Sequence, residues 1–501
     1  MTFRQPIVFV SCLLLATAAQ AQDTLSTHIT YDLSTEAAVG SGDYTAYQLA
    51  TNRHHVLGTR SNTAYLRGAV SVEHALGKDW TLSGGVDAVA SVHADHKAYL
   101  QQLYANLSYG PFFLEVGSRE EKPVLRDDLL SVGAFIKGTN AKPVPQVHVG
   151  TNGFWTIPFT KGWLQANFDF GYGKFLDSDY REDMFRRSGG VNTIYTTGTY
   201  YHQKHLYFRS NPEKRVYVLV GIEHAVQFGG TSYGYDDGVL TAHKKPANLK
   251  AFWNVILPLG DSNYFENDDA WEDWVYGNHI GMMTAQVGWN IDEQHQLTAY
   301  LDNPFEDGSG IRKGNGWDGL WGLHYANKAE GRQYVRGAVL EYFQSTNQSG
   351  PLHWDKGDYP EPVRSQITDF VTGNDNYYNH GFYDSYAHYG MTPGIALLAS
   401  PIYNSDGYTA FRDNRVKAWH AGISGDVTDR LSYLVKGSYR EGWGSYHVPL
   451  AEWHHSFDAM VQGIYTVGPW QFSAAYAFDK GNIYGDCSTF DLKIGYHGKI
   501  L

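Results

Sequence analysis

Apolar and polar residues alternate one for one along much of the chain. Leu103, Ala105, Leu107 and Tyr109 share one face, while Gln102, Tyr104, Asn106 and Ser108 share the other. The stretch 163–172 repeats the pattern, with Leu164, Ala166, Phe168, Phe170 and Tyr172 against Gln165, Asn167 and Asp169. Near the end of the chain Phe472, Ala474, Tyr476 and Phe478 oppose Gln471, Ser473 and Asp479. In the last segment Phe490, Leu492, Ile494 and Tyr496 oppose Asp491, Lys493, Gly495 and His497. Period two over about ten residues marks a strand crossing a membrane in a barrel. Strands of soluble sheets usually run to about half that length.

On this pattern strands are expected at 62–76, 80–93, 98–110, 112–120, 145–158, 163–175, 197–211, 215–230, 279–291, 295–307, 319–328, 335–350, 377–390, 395–401, 414–427, 430–444, 452–467, 470–481 and 487–499. A further strand is a candidate near 26–33. Single-chain bacterial barrels have even strand counts. The expected fold is therefore all-β, a closed antiparallel transmembrane barrel of about 18 strands with long extracellular loops and little helix. Connection lengths give its orientation, because periplasmic turns are short and extracellular loops long. With the C-terminus periplasmic, the turns at 468–469, 428–429, 328–332, 291–294, 210–214, 158–161, 110–111 and 77–79 fall on one side. The segments 121–144, 176–196, 231–278, 306–318, 351–376, 402–413 and 441–451 fall on the other. The short 94–97 connection also lies outside, and the side of 36–60 stays open. Within the 231–278 loop the apolar stretch 247–257 suggests a helix folded into the mouth as a plug or lid.

The chain opens with Arg4, an apolar run from Ile7 to Ala18, and Ala19-Gln20-Ala21. That is a signal peptide over 1–21, with export by the general secretory pathway. Residues 22–501 form one barrel unit, of which 22–60 is a candidate periplasmic N-terminal segment. No later stretch offers the roughly 18 consecutive apolar residues of a spanning helix, so an exported membrane protein must close a barrel. Composition agrees. Of 501 residues, 15% are aromatic and 18% charged, with 37 Tyr and 54 Gly, and mean hydropathy is −0.39. The formal charge of −13 implies no nucleic-acid partner. Cys12 leaves with the signal peptide, so Cys487 alone makes neither a disulfide nor a cysteine metal site.

Catalytic signals are weak. Gly230-Thr231-Ser232-Tyr233-Gly234 matches G-x-S-x-G, but a hydrolase elbow needs a strand-to-helix turn, and an acidic Tyr/Gly-rich loop follows here. The pairs His93/His96 and His202/His205 sit at i and i+3, on opposite faces of a strand. They and His454/His455 lack a metalloprotease spacing. The expectation is no enzyme, no metal and no cofactor.

The outer loops carry flat rings beside amides and carboxylates, which suit the C–H faces and hydroxyl rims of sugars. The groups are Trp271, Asp273 and Trp274; Trp317, Asp318 and Trp321; Asn376, Tyr377, Tyr378, Asn379 and Tyr383; and Trp443 with Tyr446. Barrels also carry aromatic girdles at both membrane interfaces without any ligand.

Several blocks together resemble the Wzi-like capsule assembly family of outer-membrane proteins in its Bacteroidota-type form. They are Gln102–Tyr109 with Phe112–Ser118, Ser131–Val149, Thr156–Gln165, Tyr201–Gly230, Tyr377–Gly381, Phe411–Arg415 and Gly442–Tyr446. The resemblance implies a non-enzymatic barrel lectin in the outer membrane of a Gram-negative cell. Such a protein binds capsular or other surface polysaccharide and attaches it to the cell surface during capsule assembly. Its other partners would be outer-membrane lipid and lipopolysaccharide, and the barrel-assembly machinery during insertion. Better-known members add a periplasmic helical bundle, and no three-helix pattern stands between Gln22 and Arg60. The alternative is an outer-membrane porin for small solutes or saccharides, using lumenal Glu223, Gln227, Asp491 and Lys493.

Overall fold

A computed structural model describes residues 26–257, 276–350 and 375–500. The signal peptide read at 1–21 lies outside the described residues, as do Trp271, Asp273 and Trp274. The wall consists of β1 Thr27–Ser41, β2 Thr63–Ala75, β3 Trp80–Val92, β4 Ala98–Tyr109, β5 Phe112–Ser118, β6 Gln146–Thr151, β7 Leu164–Lys174, β8 Tyr200–Ser210 and β9 Val216–Phe228. It continues through β10 Asn278–Asn290, β11 His295–Phe305, β12 Gly319–Asn327, β13 Gly337–Gln344, β14 Val416–Asp426, β15 Leu431–Gly444, β16 Pro449–Val467, β17 Trp470–Gly481 and β18 Cys487–Lys499. Each pairs antiparallel with the next. β1 pairs with β18, from Thr30 opposite Lys499 to Ser41 opposite Ser488, and closes an 18-stranded barrel.

The alternation read in the sequence is the inside–outside alternation of this wall. On β18, Cys487, Thr489 and Asp491 are buried in the lumen, whereas Phe490, Leu492 and Ile494 are exposed on the outer wall. Short turns collect at the end where β1 begins and β18 ends, which by the loop-length rule faces the periplasm. Among the described residues no helix is long and apolar enough to cross a membrane.

Three sequence expectations are corrected. Within the segment 22–60, expected as a candidate periplasmic piece, β1 is a wall strand over 27–41, and residues 45–51 beyond it are buried. The segments 377–390 and 395–401 are not wall strands. Tyr377, Tyr378, Tyr386, Ile395, Leu397 and Leu398 are buried together in the lumen, and the backbone turns through positive φ at Tyr378, Asp384 and Tyr389. Their apolar run reflects burial on all sides rather than a strand with one lipid face. Finally, the apolar stretch in the 231–278 loop does contain a helix, Leu249–Asn254, but it packs on the outside of the wall. Ala251, Phe252 and Val255 cover Val226, Phe228, Tyr172 and Tyr200, which lie on the face opposite lumenal Gln227.

A barrel this wide encloses a lumen that side chains from the wall alone do not fill. Three connections from the long-loop end fill much of it. In residues 42–62, Gln48 Nε2 donates to Asp458 Oδ1 (2.6 Å) and Ser438 Oγ (3.0 Å), and the Tyr47 amide donates to Asp479 (2.9 Å). In residues 119–145, Ser131 Oγ and the Val132 amide donate to Glu341 (2.6 and 2.9 Å), and Arg126 pairs with Asp302. In residues 375–415, the Tyr378 hydroxyl donates to the Phe135 carbonyl and accepts from the Ile395 amide (3.0 Å). Gly394 lies so close that a Cβ there would sit 2.2 Å from the Tyr378 hydroxyl. The plug segments interlock with one another and with the wall.

Arg440 anchors one side of this packing. Its guanidinium bonds Asp458 (2.8 Å) and the Tyr484 hydroxyl (2.9 Å) and lies 3.9 Å from the Tyr47 ring, fully buried. Arg440→Met strands the Asp458 carboxylate and is expected to cost about 3–5 kcal/mol. Arg440→Met combined with Asp458→Leu should recover most of that loss in thermal unfolding in detergent. A double variant no more stable than the single one would refute the assignment.

Candidate functional site

The long connections meet at the end of the barrel away from the short turns. The residues singled out in the sequence separate there into three groups. Tyr377, Tyr378 and Tyr383 are buried in the plug, so their rings are packing elements with no face turned to solvent. The polar residues serve as pegs between loops. Asp318 accepts from the Asn347 and Gln348 amides (3.0 and 2.7 Å). Asn379 bonds both the amide and carbonyl of Phe411 (2.7 and 2.8 Å), and Asn376 accepts from Asn414 (2.6 Å). The third group faces outward. Trp317 is 70% exposed and stands 5.3 Å from Trp321. Trp321 is in register with Tyr342, Trp419 and Tyr439 across the outer wall of β12 to β15, the position of an interfacial girdle. Trp443 lies on the same outward face of β15 near Lys417. Tyr446 is tied down by its hydroxyl to the Asn347 carbonyl (2.7 Å), under the Arg415 guanidinium.

A different aromatic group rises above the barrel. After β9, Gly229 and Gly230 adopt positive φ, +65° and +82°, which steers the chain off the wall. A Cβ on Gly230 would meet the Thr197 carbonyl at 2.6 Å. The chain then forms the hairpin Thr231–Asp236 and Val239–Lys244, joined to Ile194–Thr197 in a three-stranded outer sheet. Asp237 and Gly238 both have positive φ, the signature of a type I′ turn. Tyr195 and Tyr233 stack at 4.9 Å with 14° between planes, and Phe185 packs on Tyr195 (4.7 Å) and Tyr235 (5.8 Å). Tyr235 and Val239 are each 65% exposed. Sequence reading passed over this platform, although Asp237-Gly238 between two alternating runs is a hairpin signal.

The same geometry explains the hydrolase-like match. Ser232 is buried mid-strand with its hydroxyl 2.7 Å from that of Thr196, and Gly230 is the kink that launches the hairpin. His202 and His205 bond different partners, the Gly171 carbonyl (2.8 Å) and Asn167 (2.6 Å). Among the described residues, no group of three or more His, Cys, Asp or Glu side chains is placed to hold a metal ion. The lumenal residues proposed for a porin are engaged: Glu223 with Tyr207, Gln227 with the Ser385 carbonyl (3.1 Å), and Lys493 with Glu36 (3.5 Å). Asp491 is fully buried near Glu36 and Lys493.

These features define a closed, plugged β-barrel of outer-membrane type with a built outer surface. No family model matches the chain, and no curated protein matches it. Among solved structures it is similar to Wzi of Escherichia coli, described as an outer-membrane protein of group 1 capsule assembly and a carbohydrate-binding β-barrel. That similarity has TM-score 0.54 and 10% identity over 97% of this chain and 87% of that one. It is also similar to OccAB2 of Acinetobacter baumannii, with TM-score 0.46 and 11% identity over 95% and 98% of the two chains. OprD of Pseudomonas aeruginosa gives TM-score 0.45 and 9% identity over 95% and 96%. At these identities the similarity to Wzi establishes the fold.

Carboxyl groups in the outer connections make their packing pH-dependent. Burial and the neighbouring Asp307 push Asp375 up to about 7. Burial alone raises Asp318 to about 6. Burial and the charge of Asp375 hold Glu306, which accepts from the Asn376 amide (2.9 Å), well above the usual carboxylate range. Each binds its proton more tightly folded than unfolded. For Asp318 and Asp375 that stabilisation is therefore complete below about pH 4 and is lost as pH rises through about 6 to 7. Hydrogen exchange at 347–348, corrected for intrinsic rates, should lose protection between about pH 5 and pH 8. Unchanged protection there would contradict the assignment.

Proposed function

We propose that the protein is a non-conducting, non-enzymatic outer-membrane lectin that holds capsular or other surface polysaccharide at the cell surface during capsule assembly. The observation that carries the reading is the filled lumen. Chain occupies much of the space a diffusion pore would need, which supports a role for the outer face. There Tyr233 and Tyr235, backed by the buried rings of Tyr195 and Phe185, offer faces to sugar C–H groups, with Asp236 and Asp237 beside them as hydroxyl acceptors. Trp317, 70% exposed on the connection before β12, is a further contact. Similarity of fold to a carbohydrate-binding barrel supports the same assignment. Weak contacts per sugar suffice, since a polymer engages many copies at once.

Cells lacking the protein should release polysaccharide into the medium in proportion to its loss from pelleted cells. Replacing Tyr233 and Tyr235 together with Ala should reproduce most of that release, and Trp321→Ala should not. Stepwise single-channel current from the purified protein in a planar bilayer would overturn the reading in favour of a porin.

A further inference from the structure

On the short-turn side of the plug, beneath residues 124–131, a cavity of about 250 Å³ remains among the inward faces of β8 to β13. Two arginines and one carboxylate line it; the carboxylate, Asp127, accepts from the Leu129 and Leu130 amides (2.9 Å each), and the arginines are not equivalent. Arg126, in the roof, is neutralised by Asp302. Arg209, on β8, has no carboxylate within ion-pairing distance among the described residues; its bonds go to a neutral amide. Its Nε and Nη2 both donate to Gln165 Oε1 (3.1 and 2.7 Å), and the Phe154 ring lies 3.8 Å from the guanidinium carbon. The fork is therefore held from one edge and one face, with Nη1 left for a ligand. A fixed guanidinium without a counter-charge, on the wall of a cavity, is the arrangement that takes up a carboxylate. Around it stand Tyr217, Thr298 and Gln286. Gln286 is only 7% exposed, and its amide nitrogen has no hydrogen-bond partner, a state that costs free energy until a ligand or water satisfies it.

We propose that this cavity binds a uronate, a small carboxylate-bearing hydroxylated solute, from the periplasmic side. Arg209 holds the carboxylate, Gln286 and Thr298 meet hydroxyls, and Tyr217 supplies an apolar face for the ring. The volume lies below the roughly 300–1,000 Å³ of drug-sized pockets, which fits one sugar unit rather than a length of polymer. The unit is either a free acid or the end of a chain. The site is separate from the outer face and does not depend on the lectin reading.

The test is calorimetric titration of the full-length protein in detergent with sodium D-glucuronate, D-glucose and sodium sulfate at constant ionic strength. Glucuronate should bind saturably, and at least about tenfold more tightly than glucose, because a charge-assisted pair is at stake. Arg209→Gln should abolish that preference and Arg209→Lys should retain part of it. Both variants should show the heat-induced mobility shift of the folded barrel, which separates lost binding from lost fold. A glucuronate-terminated tetrasaccharide binding more tightly than the monosaccharide identifies a chain end as the ligand, and equal binding identifies the free acid. The proposal is overturned if glucuronate gives no saturable heat, if glucose binds as well, if sulfate competes with equal affinity, or if Arg209→Gln leaves binding unchanged.

Discussion

Everything in this molecule follows from the need to pair every backbone N–H and C=O that faces hydrocarbon, where water is absent. An open sheet would leave two unpaired edges in lipid. The β1–β18 ladder removes both, with Cα partners running continuously from Thr30–Lys499 to Ser41–Ser488. Closure commits each strand to one lipid-facing and one lumenal row. It also sets the circumference, and with it a lumen wider than the wall side chains can fill. The plug answers that excess of space. Residues 42–62, 119–145 and 375–415 bring apolar bulk inward, and the upper wall of the lumen carries matching apolar positions such as Ile280, Met282, Leu320 and Phe343.

Charge pairing holds the plug where apolar contact alone would leave it free to slide. Arg126 reaches from the plug to wall Asp302, and Arg53 from the plug to Glu36, which wall Lys493 also approaches. Glu341 on the wall accepts two bonds from the 131–132 backbone and hydroxyl, and His420 bonds the Leu130 carbonyl (2.7 Å). Buried pairs of this kind add little net stability against apolar replacements but cost several kcal/mol when one partner is lost. Their effect is to single out one register of plug against wall.

The wall was legible in the sequence because one physical rule, alternation between lipid and lumen, governs it. Seventeen of the wall strands overlap stretches read that way, and β1 extends the short segment noticed near 26–33. The reading went wrong where that rule stops applying. Residues 377–390 and 395–401 are apolar because they are enclosed, and enclosure leaves no period to separate strand from plug. The outer face was harder still. Trp and Tyr are drawn to the membrane interface whether or not they bind anything, so Trp321 and Trp443 looked like ligand contacts while standing in a girdle. Tyr195, Tyr233 and Tyr235 come from two distant segments, and only pairing of Ile194–Thr197 with Thr231–Asp236 stacks them. The guanidinium of Arg209 gave no signal at all, since its lack of a carboxylate partner exists only in three dimensions.

The passage of β9 through Gly229-Gly230 into the outer hairpin has a mechanical meaning. A pull on Tyr233 or Tyr235 away from the cell is carried by covalent backbone straight into β9, along the strand axis. Ladder hydrogen bonds lie across that axis, so the bonds to β8 and β10 bear the load together in shear instead of opening one after another. A tether attached at the tip of this hairpin would therefore draw its strength from two full ladders of the barrel wall, and the outer sheet could yield at its glycine joint without loosening its root.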